Sequence, residues 1–362
     1  MDLFKETMSS RERSLAALSG KPYDRIPVYL LISDHAARTI GVSVADYQTS
    51  ARLMADGQLA AWRRYGMDLI NTGPGLTGIA EAIGSRLAFP DNTAYVVGYA
   101  VQSEADLERL KIPDPNSAGR LPLFLEATAL VLKEVGDQVP VSLTTAGPFT
   151  TAANLRGTEQ FLRDLRRDPD FVHRLLRFAT DSIIPFAREA IARGGRIGLA
   201  EPVASGTLIS PRLFREFALP YLKELISLLA GLAGSAPSLH VCGNTGKIWQ
   251  DMADSGASVL SLDDEVDLAE ARAAVGERVA LLGNIRPTAS MVLGTPDDVQ
   301  ANVRECLAKG VGSPKGYILG LGCALPINAP PENVHALMAA AREYGRWAAV
   351  EPVMSIKQIE IV

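Results

Sequence analysis

The chain has 362 residues, 47% of them hydrophobic and 21% charged, enough for one large domain or two ordinary ones with a substantial core. Its 36 basic and 41 acidic residues give a formal net charge of -5 with no Lys/Arg cluster, which argues against a nucleic-acid binder. No run approaches the roughly 18 apolar residues of a membrane helix, residues 1–13 are polar and unlike a secretory signal, and three cysteines are too few for a disulfide scaffold; a reducing, cytoplasmic setting is expected.

Residues up to about 24 read as a helical extension. A β-type run follows at 25–31 and a second at 67–71. The stretch from about 73 to 121 is irregular, rich in Gly, Pro and polar residues. It reads as an insertion that covers one end of the fold. Further β-type runs lie at 139–144, 196–201, 238–241, 258–262, 279–283 and 316–321. Helical patterns separate them. Asp168-Pro169 supplies an N-cap and a first-turn Pro for a helix that Gly194-Gly195 stops. Ser210-Pro211 opens another, to about Leu232, Pro296 starts one ending at Gly310, and Pro330-Pro331 starts the last, to about Trp347. Eight strands alternating with helices predict a parallel sheet. At this count a closed (β/α)8 TIM barrel is favoured over an open doubly wound sheet, with residues 1–362 forming a single barrel domain.

In such a barrel the active site lies where the strands end. The fifth run ends Leu239-His240-Val241-Cys242-Gly243-Asn244, and residues two apart on a strand share a face. His240 and Cys242 therefore aim together. The eighth run ends Gly320-Leu321-Gly322-Cys323, which brings a second thiol to the same mouth. One imidazole and two thiolates suit zinc, and three protein ligands leave a fourth position open, as at catalytic zinc sites. The alternative is a structural histidine and two small core cysteines. Glu201, Asp263 and Asp264 end other strands. They are candidates for a fourth metal neighbour, for orienting His240, or for capping the next helix. Asn244 and Asn284, also at strand ends, are candidate cofactor-binding residues. His35 follows the first strand and could face the mouth. Cys306, on one helical face with Val299, Val303 and Leu307, reads as core, and His173 and His335 as structural or surface residues.

Taken together these segments resemble a known family. Arg11-Glu12-Arg13, Ala16-Ala17-Leu18 and Asp24-Arg25-Ile26-Pro27-Val28 look like the opening of the uroporphyrinogen decarboxylase superfamily. Ala80-Glu81-Ala82-Ile83-Gly84, Gly147-Pro148-Phe149-Thr150 and the block from Glu201-Pro202 through Ser210-Pro211, Phe214 and Pro220-Tyr221 continue the resemblance. His240-Val241-Cys242-Gly243 and Gly322-Cys323 are similar to the zinc motif of its methylcobamide:coenzyme M methyltransferase branch. The resemblance implies a TIM barrel, Zn2+ and a corrinoid supplied by a partner protein. It implies methyl transfer between that methylcobamide and a thiol such as coenzyme M.

A demethylase component acting on a methoxy or methylamine donor, or a methylcorrinoid:tetrahydrofolate methyltransferase, is the alternative. Decarboxylation is disfavoured. The arginine-rich motif that holds porphyrinogen carboxylates is absent, since Val28-Tyr29-Leu30-Leu31-Ile32-Ser33 stands there. Glu201 stands where the family usually has Asp. The expected partners are the corrinoid protein and a small methyl donor or acceptor, with no nucleic acid and no membrane; a homodimer is compatible.

Overall fold

The computed structural model describes residues 6–89 and 94–347. Among the described residues there are ten strands: β1 Val28–Tyr29, β2 Ile70–Asn71, β3 Arg86–Ala88, β4 Tyr95–Gly98, β5 Val141–Ala146, β6 Arg196–Ala200, β7 Ser238–Val241, β8 Val259–Leu262, β9 Ala280–Ile285 and β10 Tyr317–Leu321. Eight of them form one sheet in the order β1-β10-β9-β8-β7-β6-β5-β2, with every pairing parallel. This is the curled α/β barrel that the strand count predicts.

The alternation along each strand explains the curl. Leu143, Leu199, Leu239, Val241, Leu260, Leu262 and Leu281 are at most 1% exposed and pack beneath the surrounding helices. Each such side chain contributes roughly 2 kcal/mol by leaving water. The residues between them, among them Thr144, Gly198, Ser238, His240 and Ser261, face the barrel axis.

The two first strands are shorter than the sequence suggests, and the reason is chemical. No ladder joins β1 to β2. Instead the Asp68 amide donates to the Val28 carbonyl at 2.8 Å, and the Val28 amide donates to Asp68 Oδ2 at 2.8 Å. A side chain thus completes the seam. Its carboxylate is fully buried and paired with Arg13 and Arg25, each at 2.5 Å. Asp24 and Glu6 hold the remaining guanidinium nitrogens. Arg342, in the last helix, reaches Glu6 at 2.9 Å, and the Ile26 amide donates to the Gly345 carbonyl at 2.7 Å. Charges this deep are tolerated only because each has a partner.

Helix boundaries follow the expected signals. Asp168 caps the helix Pro169–Ala192 by accepting from the Phe171 amide, Thr295 and Asp298 form a capping box for Pro296–Gly310, and the last helix is Pro331–Tyr344. The Ser210-Pro211 helix continues to Ala233, through one wide π turn at Phe214–Ala218.

The insertion is more regular than its composition suggests. It holds a helix at Gly78–Ile83, the antiparallel hairpin β3–β4 and a helix at Glu104–Arg109. It is fastened to the helix Pro148–Arg156 by Ser85 on the Asn154 carbonyl and by the Val101 amide on the Leu155 carbonyl. Residues 1–5 of the N-terminal extension and 90–93 of the insertion lie outside the described residues.

Candidate metal centre at the mouth of the barrel

Strand parity places the first two ligands. Leu239 and Val241 are buried against the helices, so His240 and Cys242 turn inward and upward. The chain must then turn at once, and Gly243 does so at φ +72°. A β-carbon there would lie 2.7 Å from Thr207 Oγ1 and 2.8 Å from Ser205 Oγ, so only glycine fits. Cys323 arrives from the opposite side, two residues beyond the end of β10. Gly322 makes this approach possible: its own β-carbon would meet the Asp264 amide nitrogen at 2.5 Å.

The outcome is a group of three ligand atoms, one each from His240, Cys242 and Cys323, all within 4.8 Å of one another. Among the described residues no fourth His, Cys, Asp or Glu joins them. His240 Nε2 lies 3.1 Å from Cys242 Sγ. The other ring nitrogen, Nδ1, is 3.2 Å from the Ser261 carbonyl and 3.1 Å from its hydroxyl. A proton on Nδ1 would donate to that carbonyl and leave the Nε2 lone pair aimed at the thiols. Cys323 is exposed and the other two ligands are half-buried, so the group opens to solvent.

The two thiols oppose one another. Cys323 is pulled down to about 4, first by a hydrogen bond from Cys242 and then by one from the His240 ring. The same bond from Cys323, with burial, pushes Cys242 far up. A divalent cation between them would make both thiolates and cancel that opposition. The donor set, one imidazole nitrogen and two sulfurs, fits zinc with one position left for a substrate atom.

The remaining residues singled out in the sequence sort by their partners. Glu201 is fully buried, and its two oxygens accept from the Phe149 and Thr150 amides at 2.9 and 2.7 Å. Burial raises its pKa to about 7 against these bonds. It caps the helix Pro148–Arg156, while its own amide holds the His240 carbonyl at 2.8 Å. Asp263 accepts from the Gly243 amide at 2.8 Å and fixes the turn after Cys242. Asp264 is exposed beside Gly322, and partial desolvation of its carboxyl together with the charge of Asp263 raises its pKa. Asn244 is exposed at the mouth. Asn284 points away from it, donating to the Asp263 and Val266 carbonyls at 2.9 and 2.8 Å.

His35 is buried between the Ile327 carbonyl and the Tyr65 hydroxyl, His173 bonds Tyr221, and His335 packs on Tyr65. None of the three joins the metal group. Cys306 is buried in the core as expected. The sequence reading passed over Ser261 and Ser205. Ser261 is the register partner of His240 on β8, a lone hydroxyl between Leu260 and Leu262, and that parity was a usable signal. Ser205 donates to the Cys242 carbonyl at 2.6 Å, a contact between loops that no local pattern announces.

Residues 9–344 match the family model described as uroporphyrinogen decarboxylase (URO-D). The chain belongs to the uroporphyrinogen decarboxylase family. Within it, the chain is 30% identical to a methylcobamide:CoM methyltransferase of Methanosarcina barkeri, over 92% of this chain and 98% of that protein. It is 28% identical to a methylated-thiol–coenzyme M methyltransferase of Methanosarcina mazei, over 93% and 90% of the two chains. A uroporphyrinogen decarboxylase of Psychromonas ingrahamii is 27% identical, over 93% and 98%. Among solved structures, a methyltransferase from Methanosarcina mazei superposes with a TM-score of 0.85 at 30% identity, covering 93% of this chain and 99% of that one. By these relatives in sequence and structure, this member of the family is a methyltransferase enzyme.

Proposed function

We propose that this chain moves a methyl group from a protein-bound methylcobamide to a thiol, with zinc held by His240, Cys242 and Cys323. The observation that carries the reading is the convergence of those three ligand atoms within 4.8 Å at an open barrel mouth. Methylcobamide:CoM methyltransferases among the relatives supply the reaction class. Zinc bound there would lower the pKa of an entering thiol and keep it as thiolate near neutral pH.

The chain's own residues do the rest. Ser261 orients the His240 ring, and Ser205 and Asp263 hold the turn that presents Cys242. Exposed Cys323 leaves the mouth accessible to a macrocycle carried on another protein. In the transfer the acceptor sulfur forms a bond to the methyl carbon. The cobalt–carbon bond breaks with both electrons left on cobalt, and the thiol proton goes to solvent. A fully buried Glu201 with both oxygens occupied, and Asp263 tied to Gly243, act by positioning; Asp264 is the carboxylate open to the mouth.

The test is metal analysis with an activity assay. Purified protein is expected to carry close to one zinc per chain, lost in Cys242→Ala and in Cys323→Ala, and to convert methylcobalamin plus a thiol to a methyl thioether and cob(I)alamin. A full metal load surviving both substitutions overturns the site. Methylation of tetrahydrofolate but of no thiol overturns the acceptor.

A further inference from the structure

Two of the three ligands at the mouth are placed by strand geometry, and the third is not. His240 lies within β7 and Cys242 directly after it, with Ser205 and Asp263 fixing the turn. Cys323 stands two residues past β10 in an irregular segment, and it is the one exposed ligand of the three. Something other than the sheet must hold it.

That support comes from the chain that follows β1. The Gly322 amide donates to the Ile285 carbonyl at 2.8 Å, the last bond of the ladder to β9. Beyond Cys323 the Leu325 amide donates to the Leu31 carbonyl at 2.9 Å. The Ile327 carbonyl then accepts from His35 Nδ1 at 3.1 Å and from Arg38 Nη1 at 2.9 Å. Between these anchors the Ala324 amide donates to the Cys323 sulfur. The backbone path through this segment therefore sets both the place of the sulfur and a hydrogen bond to it.

His35 is the rigid anchor of the set. It is only 2% exposed, whereas Arg38 reaches the same carbonyl through an exposed contact. A carbonyl oxygen can only accept, so Nδ1 carries the proton and Nε2 accepts from the Tyr65 hydroxyl at 2.9 Å. Burial holds the ring below the usual imidazole range, against the pull of the Ile327 carbonyl, and keeps it neutral. Tyr65 is itself buried, with its ring edge-on to His335 at 5.2 Å between centroids. The imidazole is thus fixed at both nitrogens. A sharp bend delivers it: Ser33, at φ +47°, is the one non-glycine residue with left-handed backbone among the described residues, and the helix His35–Thr39 starts two residues later. Such backbone persists where its surroundings enforce it.

We infer that His35 is a positioning residue for the metal group: through the Ile327 carbonyl it holds the segment that carries Cys323 over the mouth. This rests on the zinc site of the function proposed above. It gives a buried histidine that touches no ligand a part in metal binding.

The experiment separates the two ring nitrogens. The amide nitrogen of His35→Asn falls close to the place of Nδ1 and can still donate to Ile327. That of His35→Gln falls close to the place of Nε2 and cannot. Each full-length protein is loaded with zinc and challenged with a chelator. Each is also loaded with cobalt(II), whose thiolate charge-transfer absorption scales with the number of cysteines bound. His35→Gln is expected to release zinc roughly tenfold faster than the wild type. It should also lose the charge-transfer contribution of one of the two thiolates, as Cys323→Ala does. His35→Asn is expected to stay close to the wild type in both readouts. Val303→Ala truncates a fully buried side chain in the helix Pro296–Gly310 and controls for lost stability alone. It should melt earlier with zinc release and cobalt spectrum unchanged.

If His35→Gln does not fold, Tyr65→Phe carries the test. It removes the hydroxyl that fixes Nε2 and is expected to speed zinc release severalfold; unchanged release there overturns the inference. So does equal release from His35→Asn and His35→Gln, or release that follows melting temperature across all variants including Val303→Ala. Faster release with both thiolate contributions intact would route the effect past Cys323 and overturns it too. In each of these cases the zinc site itself stands. If the wild type holds no zinc and gives no thiolate charge transfer with cobalt, the function proposed above falls, and this inference with it.

Discussion

The two ends of this barrel treat polar side chains in opposite ways. At the end where the strands begin, the side chains of Arg13, Arg25, Asp24 and Asp68 are at most 4% exposed, and every one of these charges is met by another from the same chain. At the end where the strands finish, His240, Cys242 and Cys323 bring three metal-ligating atoms within 4.8 Å of one another. The first arrangement is complete in itself and sets stability. The second has donors of one kind only and, in the function proposed above, takes its partner from outside. A polar group in a folded interior needs a partner, and where that partner comes from separates scaffold from site.

The comparison can be broken most severely at the seam. Asp68→Ala removes the carboxylate that joins β1 to β2 and leaves two buried guanidinium groups short of a partner. A loss on the order of 3–5 kcal/mol in unfolding free energy is expected by chemical denaturation. Zinc content per folded chain should be unaltered, because the mouth is built by other strands.

Acid tests the same end more gently. Burial alone would raise the Asp24 carboxyl, but hydrogen bonds from Arg13 and from the Met8 and Thr7 amides outweigh it and hold it at about 2. Its folded pKa lies below the unfolded value. The stabilisation is therefore full above about pH 4 and fades as the pH falls through about 2, amounting to about 2 kcal/mol from this one group. Thermal melts between pH 5 and pH 2 should show that loss, and Asp24→Asn should flatten that part of the profile. A wild-type curve that is already flat there would remove Asp24 from the seam.

The smallest change sharpens the other end. Ser261→Ala deletes the hydroxyl 3.1 Å from His240 Nδ1 but keeps the carbonyl. Roughly tenfold weaker zinc retention against a chelator is expected, with little change in melting temperature. Unaltered retention would mean that the carbonyl alone orients the ring.

How legible these features were depended on distance along the chain. The strand runs that fill β5 to β10 announced themselves through local alternation and the capping signals between them. His240 and Cys242 were legible for the same reason, being two apart where one strand ends. Cys323 needed the fold, because only barrel closure brings β10 to β7. The seam was hidden. Residues 67–71 look like an ordinary strand, and nothing local says that Asp68 replaces a ladder bond with its side chain. Glu201 shows the opposite limit. From its position a carboxylate at a strand end reads as a mouth residue, yet its two acceptor bonds go to a helix start 52 and 51 residues earlier. The hairpin β3–β4 was obscured by the surrounding Gly and Pro, although Tyr95, Val96 and Val97 carry strand-forming residue types.

The seam has a further consequence for how the molecule can be damaged. Glu6, Arg13 and Arg25 meet Asp68 there, and Arg342 and the Gly345 carbonyl reach it from the far end of the sequence. It works as a clasp with one half near each terminus. A protease cut between Glu6 and Arg13 and one just before Arg342 would release the same clasp. Such nicks, hundreds of residues apart, should yield products with matching loss of heat resistance, while the metal triad at the other end stays assembled until the whole barrel opens.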